Sequence, residues 1–428
     1  MKLKSWGNYP KIESKIKNLD KTINNYIKNV DEFIPYGNGR SYGDSALNTN
    51  MVNCKVHNYF LNFDKEKEVL HVQSGVLLSE IIEIFLPQGY FLKVTPGTKL
   101  ITIGGAIASD IHGKNHHKEG CFSECVIEFN ILLPNNEIQT VKPEDELFKV
   151  TCGGMGLTGI ILDAKIKLKK VNSKNIEQTT IKTKNLNETF EAFEKYKDIP
   201  YSVAWIDCLA KDENIGRCLL MVGDFSDDGI LDYKPKKRLN IPFSFPSFTL
   251  NNLTVKAFNY LYYNKAKNGI SKQIVDIDTF FYPLDNIRNW NRIYGKNGFT
   301  QYQFILPIET SFEGLKEILK EISNSGKGSF LAVLKLYGEE NKNYLSFPIK
   351  GYSLALDFKI ENGLFELLDK LDKIVIKYQG RIYLTKDTRV SKESFEKGYK
   401  NIEIFRSFRK INNMKNKLES LQSKRVDI

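Results

Sequence analysis

The sequence predicts an α+β protein with two domains, the second of them built on an antiparallel sheet. The chain has 428 residues, more than one hydrophobic core usually organises. Strand-like and helix-like segments alternate along its length. The composition also changes over residues 171–187, where glycine-rich motifs give way to Lys, Asn and Thr. We therefore place a domain boundary at 172/173.

The first domain is predicted to mix strands and helices around glycine-rich loops. The segments EFIPYG and EVLHVQSGV have the residues and alternation of strands. LLSEIIEIFLPQG has apolar residues at helical spacing and ends at Pro87 and Gly89. Further strands are expected in CVIEFNILL, before the turn PNNE, and in GIILDAKIKLKK, after it.

The second domain, residues 173–379, is predicted to be a sheet with helices between its strands. Strand-like alternation recurs in YSVAWID, RCLLMVGDF, TQYQFILP, SFLAVLKLYG and YSLALDFKI. This spacing is typical of an antiparallel α+β domain. From Lys392 onward the chain is charged and is predicted to be helical.

The charge balance favours an anionic partner but not a nucleic acid. Sixty-two Lys and Arg against 51 Asp and Glu give a net charge of +11. These charges are spread along the whole chain without arginine-rich runs, and nucleic-acid-binding motifs are missing. We expect no nucleic-acid partner.

The cysteines and the amino-terminal residues indicate a reducing compartment. The six cysteines form no CxxC pair, so neither a zinc site nor a disulfide framework is expected. The opening residues lack the apolar stretch of a secretory signal, and no apolar run approaches the roughly 18 residues of a membrane span. We expect a cytoplasmic protein, and peripheral contact with the inner face of the membrane stays open.

A formal GxGxxG at Gly154, Gly156 and Gly159 does not predict a Rossmann site. That fingerprint requires a helix directly after the glycines, whose N-terminus meets a pyrophosphate. Here the following residues, IILDAKIKL, have the β-branched pattern of a strand.

Three glycine-rich loops could instead bind a dinucleotide through backbone N–H groups. They are PYGNGRSYGD at 35–44, TPGTKLITIGGAIASDIHG at 95–113 and GGMGLTG at 153–159. Consecutive N–H groups on such loops form anion-binding nests, and each hydrogen bond to a charged group is worth about 1.5–3 kcal/mol. Tight turns without a ligand are the alternative for any one loop.

These loops, in this order, resemble the FAD-binding domain of the vanillyl-alcohol-oxidase superfamily. Within it the motifs IHGKNHH, YSVAWID, FYPLDNIRNWNRIYG, QYQF, VLKLYG and GRIYLTKDTR are similar to the FAD-dependent decaprenylphosphoryl-β-D-ribose 2′-oxidase family, an epimerase subunit. The resemblance extends from residue 5 to about 410. It implies a PCMH-type FAD-binding domain of two subdomains, completed by residues 380–428, and a separate substrate domain.

The resemblance implies FAD as cofactor and a set of residues around it. In related enzymes a histidine at position 42 carries the flavin covalently, whereas Tyr42 matches the non-covalent branch. The expected cofactor-binding residues are Pro35, Tyr36, Gly37, Asn38, Gly39, Arg40, Ser41, Tyr42, Gly43, Asp44, Gly97, Thr98, Thr102, Ile103, Gly104, Gly105, Ser109, Asp110, Ile111, His112, Gly113, Asn115, Gly156, Ile160 and Tyr383.

The same resemblance implies the reaction and its residues. Oxidation of an alcohol requires hydride transfer to the flavin and removal of the hydroxyl proton by a group with a suitable pKa. Lys386 occupies the catalytic lysine position, with Lys335, Tyr42 and His112 as further catalytic candidates. The expected substrate-binding residues are Trp205, Tyr282, Gln301, Gln303, Lys114 and Ser353. Core packing is the alternative for Trp205 and Tyr282.

The histidine cluster is not expected to hold a metal. His112, His116 and His117 lie in a glycine loop without carboxylate companions, so contact of His112 with flavin or substrate is the preferred interpretation. No metal is predicted.

Two departures from the family pattern bear on specificity. Ser353 and Ala355 in YSLALD replace the family's Asn and Cys, while Asp357 is retained, which leaves the sugar open. In the tail, Asn412-Asn413 replaces an Asp-Pro pair.

The implied function is oxidation of the 2′-hydroxyl of a polyprenyl-phosphate-linked pentose to a keto sugar. This is the first half of a 2′-epimerisation in cell-envelope glycan synthesis, and a separate NAD(P)H-dependent short-chain reductase completes it. The alternatives are a sugar-alcohol or aldonolactone oxidase that uses O2, and a flavin-binding protein without turnover. The aromatic segment 241–266 fits either buried core or a mobile loop over a lipid-linked substrate.

Overall fold

The computed structural model describes residues 2–236 and 239–428. The first domain contains a six-stranded antiparallel sheet, in which a long strand is paired on both sides. In spatial order its strands are β10 (Ile138–Val141), β9 (Val126–Leu132), β11 (Ile160–Lys170), β7 (Val69–Gln73) and β6 (Phe60–Asp64), and β8 (Tyr90–Leu92) also pairs with β11.

Two smaller sheets and five helices complete the first part of the chain. β3 (Lys15–Asn18), β5 (Asn50–Asn53) and β4 (Ile34–Tyr36) form a parallel sheet, and β1 (Lys2–Lys4) pairs with β2 (Lys11–Glu13). The helices are α1 (Ile23–Asn29), α2 (Leu78–Phe85), α3 (Ile103–Ala108), α4 (His116–Glu119) and α5 (Glu146–Thr151).

The turn GGMGLTG leads directly into β11, as the sequence predicted. Gly153 and Gly156 have φ of 84° and 80°, a left-handed conformation that glycine adopts without strain. A Cβ at Gly159 would lie 2.7 Å from the carbonyl oxygen of Leu132 on the neighbouring strand β9. These glycines therefore serve a tight turn and a close strand approach, and no helix follows them.

The second domain is an eight-stranded antiparallel sheet with helices packed against both of its faces. In spatial order its strands are β16 (Ile270–Asp276), β12 (Asn175–Thr183), β14 (Cys218–Phe225), β13 (Tyr201–Ile206), β19 (Ala332–Tyr337), β20 (Gly351–Lys359), β18 (Phe299–Pro307) and β21 (Arg381–Ile382). The helices are α6 (Leu186–Lys195), α7 (Asn252–Asn264), α8 (Ile277–Phe281), α9 (Ser311–Ser325) and α10 (Leu364–Lys377), and β15 (Leu239–Asn240) pairs in parallel with β17 (Ile287–Arg288).

Strand register places polar side chains of the second domain on one face. Gln301 pairs with Asp357, Gln303 with Ala355, and Lys335 with Ser353. Because side chains alternate along a strand, these positions share a face of the sheet. The opposite face packs against α9 and α10 through core residues such as Leu306 and Leu354.

The last segment of the chain starts in the second domain's sheet and returns to the first domain. After β21 come α11 (Lys392–Gly398), α12 (Ile402–Ile411) and α13 (Leu421–Val426). Leu418 bridges Phe33, and the N–H of Leu421 donates to Leu47 O at 2.8 Å. The fully buried Arg409 donates to Leu157 O at 3.1 Å. These contacts tie the tail to the beginning of the chain.

The Asn412-Asn413 pair has a local explanation. Asn412 is the C-cap of α12, and Asn413 follows it with φ of 54°. Asparagine tolerates this left-handed conformation, whereas proline is fixed near −65° and cannot adopt it.

The cysteines and helices show no disulfide and no membrane span in the described ranges. All six cysteines are free and buried. No helix within 2–236 or 239–428 combines the length and the apolar character needed to cross a bilayer.

Candidate active site

A cavity of about 900 Å³ lies between the glycine loops of the first domain and the polar face of the second domain's sheet. This volume is at the upper end of the range for ligand pockets. Its walls combine backbone-rich loops on one side with Gln, Ser, Lys and aromatic side chains on the other. The cavity can therefore hold a large ligand between two chemically different surfaces.

The loop at 35–44 supplies backbone N–H groups to this cavity. Asn38 fixes the loop by donating to Leu100 O at 2.7 Å, and Gly39 has φ of 62°. The guanidinium of Arg40 stacks on Trp6 at 3.9 Å from the ring centroid. These side-chain contacts hold the loop, and its residues 35–42 line the cavity.

The second loop, 95–113, contributes the helix α3 and its cap. Thr102 Oγ1 accepts from the N–H of Gly105 at 3.1 Å at the N-terminus of α3. A Cβ at Gly37 would lie 2.5 Å from the same oxygen, so the first loop packs directly on the cap. The geometry of the two loops is thus interdependent.

Lys386 lies where the two domains meet, beside an aromatic ring and a carboxylate. Its Nζ is 3.6 Å from the centroid of Tyr42, and Gln301 donates to Asp357 Oδ1 on the neighbouring strand. Burial raises the pKa of Asp357 and lowers that of Lys386, while their mutual attraction opposes both shifts. The arrangement favours an amine that can lose its proton at moderately alkaline pH.

Two more lysines make this end of the cavity cationic. Burial lowers the pKa of Lys335 to about 8, and burial together with the charge of Lys335 lowers the pKa of Lys114 to about 7. Lys114 Nζ donates to Phe280 O across the domain boundary. Such a cluster suits an anionic or electron-rich ligand.

His112 is neutral and has an unused donor. Burial, with the nearby charge of Lys335, holds the pKa of His112 well below its ordinary value. Its Nε2 lies 3.3 Å from Gln303 Nε2, and with the amide donating in this assignment the histidine proton is on Nδ1. Among the described residues, Nδ1 has no hydrogen-bond partner although it is buried.

Unpartnered polar groups fit a dinucleotide cofactor. Besides His112 Nδ1, the buried Ser74 Oγ has no partner within the described ranges. No described group accepts from the backbone N–H of Asn38, Gly39 or Ser41. A Cβ at Gly97 would meet no atom within 4 Å, so the backbone there is open to a ligand. Phosphate oxygens are the acceptors that such N–H groups prefer.

The structure brings most of the predicted site residues to this cavity. All four catalytic candidates line it, as do five of the substrate-binding candidates. The cofactor-binding candidates that line it are Pro35, Tyr36, Gly37, Asn38, Gly39, Arg40, Ser41, Tyr42, Gly97, Thr98, Thr102, Gly104, Gly105, Ser109, Ile111, His112, Gly156 and Tyr383. The substrate-binding candidates that line it are Trp205, Gln301, Gln303, Lys114 and Ser353.

Tyr282 does not line the cavity, and this corrects the sequence expectation. It is fully buried and shares a hydrogen bond of 2.6 Å with Thr95 Oγ1, while the ammonium of Lys99 lies 5.4 Å from its ring. Tyr282 therefore joins the two domains behind the cavity wall.

Seven predicted cofactor residues also lie behind the wall, each for a packing reason. Asp110 accepts from Asn341, Asn343 and Ser346 at 2.7–2.9 Å, and Asp44 pairs with Arg425 at 2.8 Å. Gly43 and Gly113 pack closely against the backbone of Asp387 and Thr95, respectively. Asn115 donates a hydrogen bond to the carbonyl oxygen of Lys93, and Ile103 and Ile160 are fully buried in the core. They support the loops without facing the cavity.

Some cavity residues escaped the sequence analysis. Ser74 directly follows β7, and Met155 and Thr385 lie within quoted motifs in which other residues carried the assignment. Asp357, behind the cavity wall, was noted only as a retained residue, although it is paired with Gln301 and its charge acts on Lys386.

The histidine cluster is not a metal centre in this geometry. His116 Nδ1 accepts from the N–H of Gly338 at 3.1 Å, and its Nε2 lies 3.4 Å from Cys121 Sγ. Within the described part of the chain, no three His, Cys, Asp or Glu side chains are grouped so as to hold a metal ion.

Comparison with known proteins identifies the family. Residues 15–142 match an FAD binding domain. Over 389 residues the chain is 36% identical to a decaprenylphosphoryl-β-D-ribose oxidase of Mycolicibacterium smegmatis, with 86% of this chain and 84% of that protein covered. This chain belongs to the decaprenylphosphoryl-β-D-ribose oxidase family. It is also 26% identical over 349 residues to an uncharacterized protein in the mprA 5′ region of Streptomyces coelicolor, covering 78% of this chain and 95% of the other.

Membership of the oxidase family defines the cofactor and the reaction class. The chain is an FAD-dependent oxidoreductase with a PCMH-type FAD-binding domain, so the predicted family, fold class and cofactor are confirmed. A D-lactate dehydrogenase of Anaerostipes hadrus is 32% identical over only 125 residues, which cover 28% of this chain and 26% of that protein. That match is therefore partial, whereas the oxidase match spans both domains.

Proposed function

We propose that this enzyme oxidises the 2′-hydroxyl of a polyprenyl-phosphate-linked pentose to a keto sugar. The proposal rests on one observation above all: Lys386 lies 3.6 Å from the ring centroid of Tyr42 at the domain junction, and both line a cavity large enough for cofactor and sugar together. The buried carboxylate of Asp357, behind this wall, acts electrostatically on Lys386. It agrees with the name of the M. smegmatis relative. In this proposal the enzyme performs the first half of a 2′-epimerisation in cell-envelope glycan synthesis.

The residues present fit FAD, and their roles follow from their positions. The N–H groups of Asn38, Gly39 and Ser41 would hold the pyrophosphate, and His112 Nδ1 and Ser74 Oγ offer further contacts. When bound, FAD supplies the acceptor for two electrons from the C–H bond of the alcohol.

Lys386 is the proposed base for the hydroxyl proton. Its lowered pKa supports a neutral amine, and Asp357 remains beside it to stabilise the ammonium after the proton has moved. Gln301 orients that carboxylate, while Lys335 and Lys114 stabilise developing negative charge on the sugar oxygen. The sheet face with Gln303, Ser353 and Trp205 would contact the sugar ring.

We also propose that FAD is bound non-covalently. Tyr42 packs against Trp290 and Phe299 and lies under the Lys386 amine. Burial holds the pKa of Tyr42 well above its ordinary value, so its hydroxyl stays protonated and is a weak nucleophile. After acid denaturation the yellow colour should appear in the supernatant. Flavin retained in the pellet would contradict this.

The proposal includes a partner and a location. An NAD(P)H-dependent short-chain reductase would reduce the keto sugar to its 2′-epimer, and a site at the inner face of the cytoplasmic membrane would give access to the lipid-linked sugar. NAD(P)H oxidation in a reconstituted mixture should then require both proteins and the lipid-linked substrate.

Anaerobic mixing of the holoenzyme with prenyl-phosphoryl pentoses tests the substrate directly. Bleaching of the flavin absorbance is expected with the ribose compound, and none with free alditols or aldonolactones. Bleaching by a free alditol, with peroxide released in air and no response to lipid-linked sugars, would favour the soluble-substrate oxidase. A flavin that no sugar reduces would favour a protein without turnover.

A further inference from the structure

One segment of the second domain combines basic residues and exposed apolar residues to an unusual degree. Between residues 233 and 275 the sequence contains eight Lys and Arg and no Asp or Glu. The whole chain has a net charge of +11, so most of this excess is concentrated in one tenth of its length. The even distribution of charge expected from the sequence does not hold here.

The same segment exposes large apolar side chains. Ten of the 18 exposed large hydrophobic residues of the described ranges lie between 230 and 274. They are Ile230, Leu239, Phe243, Phe248, Leu253, Phe258, Tyr260, Leu261, Ile270 and Ile274. Concentrations of exposed apolar surface of this kind mark interaction sites on monomeric proteins.

Helix α7 shows that the exposure is not a packing failure. Its inner side is fixed by Asn259, which donates to Asp207 Oδ1 at 2.8 Å, and by Tyr263, which donates to Thr183 O at 3.0 Å. Leu253 and Leu261, eight residues apart, are 76% and 67% exposed on the remaining surface. The helix is therefore apolar on a surface that the protein itself does not cover.

This surface borders the opening of the active-site cavity. Lys265, Lys267 and Lys272 line the cavity and are also exposed, so the cavity reaches solvent at the connection between α7 and β16. A ligand that enters here passes the lysines first and lies beside the exposed apolar side chains. The segment thus has cationic and apolar groups at the same opening.

We propose that α7, the segment 239–250 and β16 form a docking face for an anionic lipid bilayer. Basic residues are attracted to a negatively charged membrane surface, and exposed Phe, Leu and Ile side chains insert into the interfacial region. Docking in this orientation presents the cavity opening to the lipid, so a prenyl-linked sugar enters without leaving the membrane. The inference deepens the proposed function and rests on its lipid-linked substrate.

Vesicle flotation of the holoenzyme tests the docking face. Binding is expected to vesicles of phosphatidylcholine with phosphatidylglycerol, to fall in 1 M salt, and to be weak with phosphatidylcholine alone. The triple variant Phe248→Ser/Leu253→Ser/Leu261→Ser should lose at least about tenfold in vesicle partitioning, since each change removes an inserting side chain. Lys256→Glu should weaken binding to the anionic vesicles only.

A matched variant separates docking from general loss of surface hydrophobicity. Ile84→Ser/Ile138→Ser/Ile411→Ser removes three exposed apolar side chains elsewhere and should bind vesicles like the parent. All variants should keep their flavin absorbance and their bleaching by a short-chain, water-soluble prenyl-phosphoryl pentose. If this soluble substrate does not bleach the flavin of the parent, the substrate proposal is wrong, and vesicle binding still tests the docking proposal independently.

Two outcomes overturn the docking proposal. One is equal vesicle binding by the parent and the Phe248, Leu253, Leu261 variant. The other is a parent that binds neither kind of vesicle, and a change in the oligomeric mass of this variant would then assign the face to a second protein molecule.

Discussion

Lys386 combines a position at the domain junction with an altered acid–base property. Replacing it with Met keeps the side-chain length and removes the amine, so flavin reduction by substrate should slow by about 10²- to 10⁴-fold. In the parent, the rate should rise with pH as the amine loses its proton, because the base acts in its neutral form. Stopped-flow flavin bleaching across pH measures both effects.

The control for Lys386→Met is the same change on the exposed side of α10. Lys373→Met should leave the rate and its pH dependence unchanged, because Lys373 is exposed and is not part of the cavity lining. A Lys386→Met enzyme that keeps the parent's rate and pH profile would exclude the proposed role of this amine.

Lys335 should lower the folding stability of the protein, although it has a proposed role in the active site. Burial lowers its pKa from 10.5 to about 8, so folding disfavours its charged form. The cost is fully present below pH 8 and disappears as pH rises above 10.5. At pH 7 the free energy of unfolding of Lys335→Met should therefore exceed that of the parent by about 1–2 kcal/mol, a value reduced to allow for water in the cavity. Urea unfolding measures this difference, which should vanish near pH 11. A less stable variant at pH 7 would contradict this account.

Several site residues predicted from the sequence lie in the cavity lining, and their roles there stay predictions. Gln303, Ser353 and Lys335 line the cavity because strand alternation fixes their face. Tyr282 does not, because its direction depends on a hydrogen bond to Thr95, 187 residues earlier in the chain. Long-range contacts of this kind leave no local pattern in the sequence.

At the scale of elements, the short helix α3 connects the two glycine loops. Thr102→Val removes the oxygen that caps its N-terminus and that contacts Gly37. The expected loss is about 1 kcal/mol of stability, together with weaker FAD binding, because the loop at 35–44 packs on this cap. Thermal unfolding and FAD titration of the apoprotein measure the two effects.

Ser391→Ala is the matched control, since Ser391 caps α11 in the same way by accepting from the N–H of Ser394. It should cost similar stability and leave FAD affinity unchanged. Equal FAD affinity in both variants would show that the cap of α3 has no influence on the cofactor loops.

The elements themselves were largely predictable, and the exceptions have a physical basis. The strand after GGMGLTG and the helical tail follow from β-branched periodicity and charge pattern. The segment 241–266 is neither buried core nor only a loop, because α7 buries one side through Asn259 and Tyr263 and exposes Leu253 and Leu261. Apolar residues on both sides of a helix do not reveal from sequence which side the protein covers.

At the scale of the whole molecule, a buried ion pair joins the two domains behind the cavity. Lys99 Nζ, on the loop of the first domain, contacts Asp278 Oδ1 in α8, and both side chains are only 3–4% exposed. Tyr233 OH also lies 2.6 Å from Lys99 Nζ. The pair therefore fixes the loop at 95–113 against the substrate domain.

Breaking this pair should be costly, and removing both charges should not. Lys99→Met or Asp278→Leu alone leaves one buried charge without its partner, which costs about 3–5 kcal/mol, whereas the double variant should recover most of this loss. Urea unfolding of the four proteins gives the coupling energy.

The exposed pair Lys118–Asp198, at 3.1 Å, joins the same two domains and is the control. Its single variants should change stability by less than about 1 kcal/mol. If the double variant is as unstable as the sum of the single changes, the pair does not act as a unit, and the domain register must depend on Tyr282 and the neighbouring packing instead.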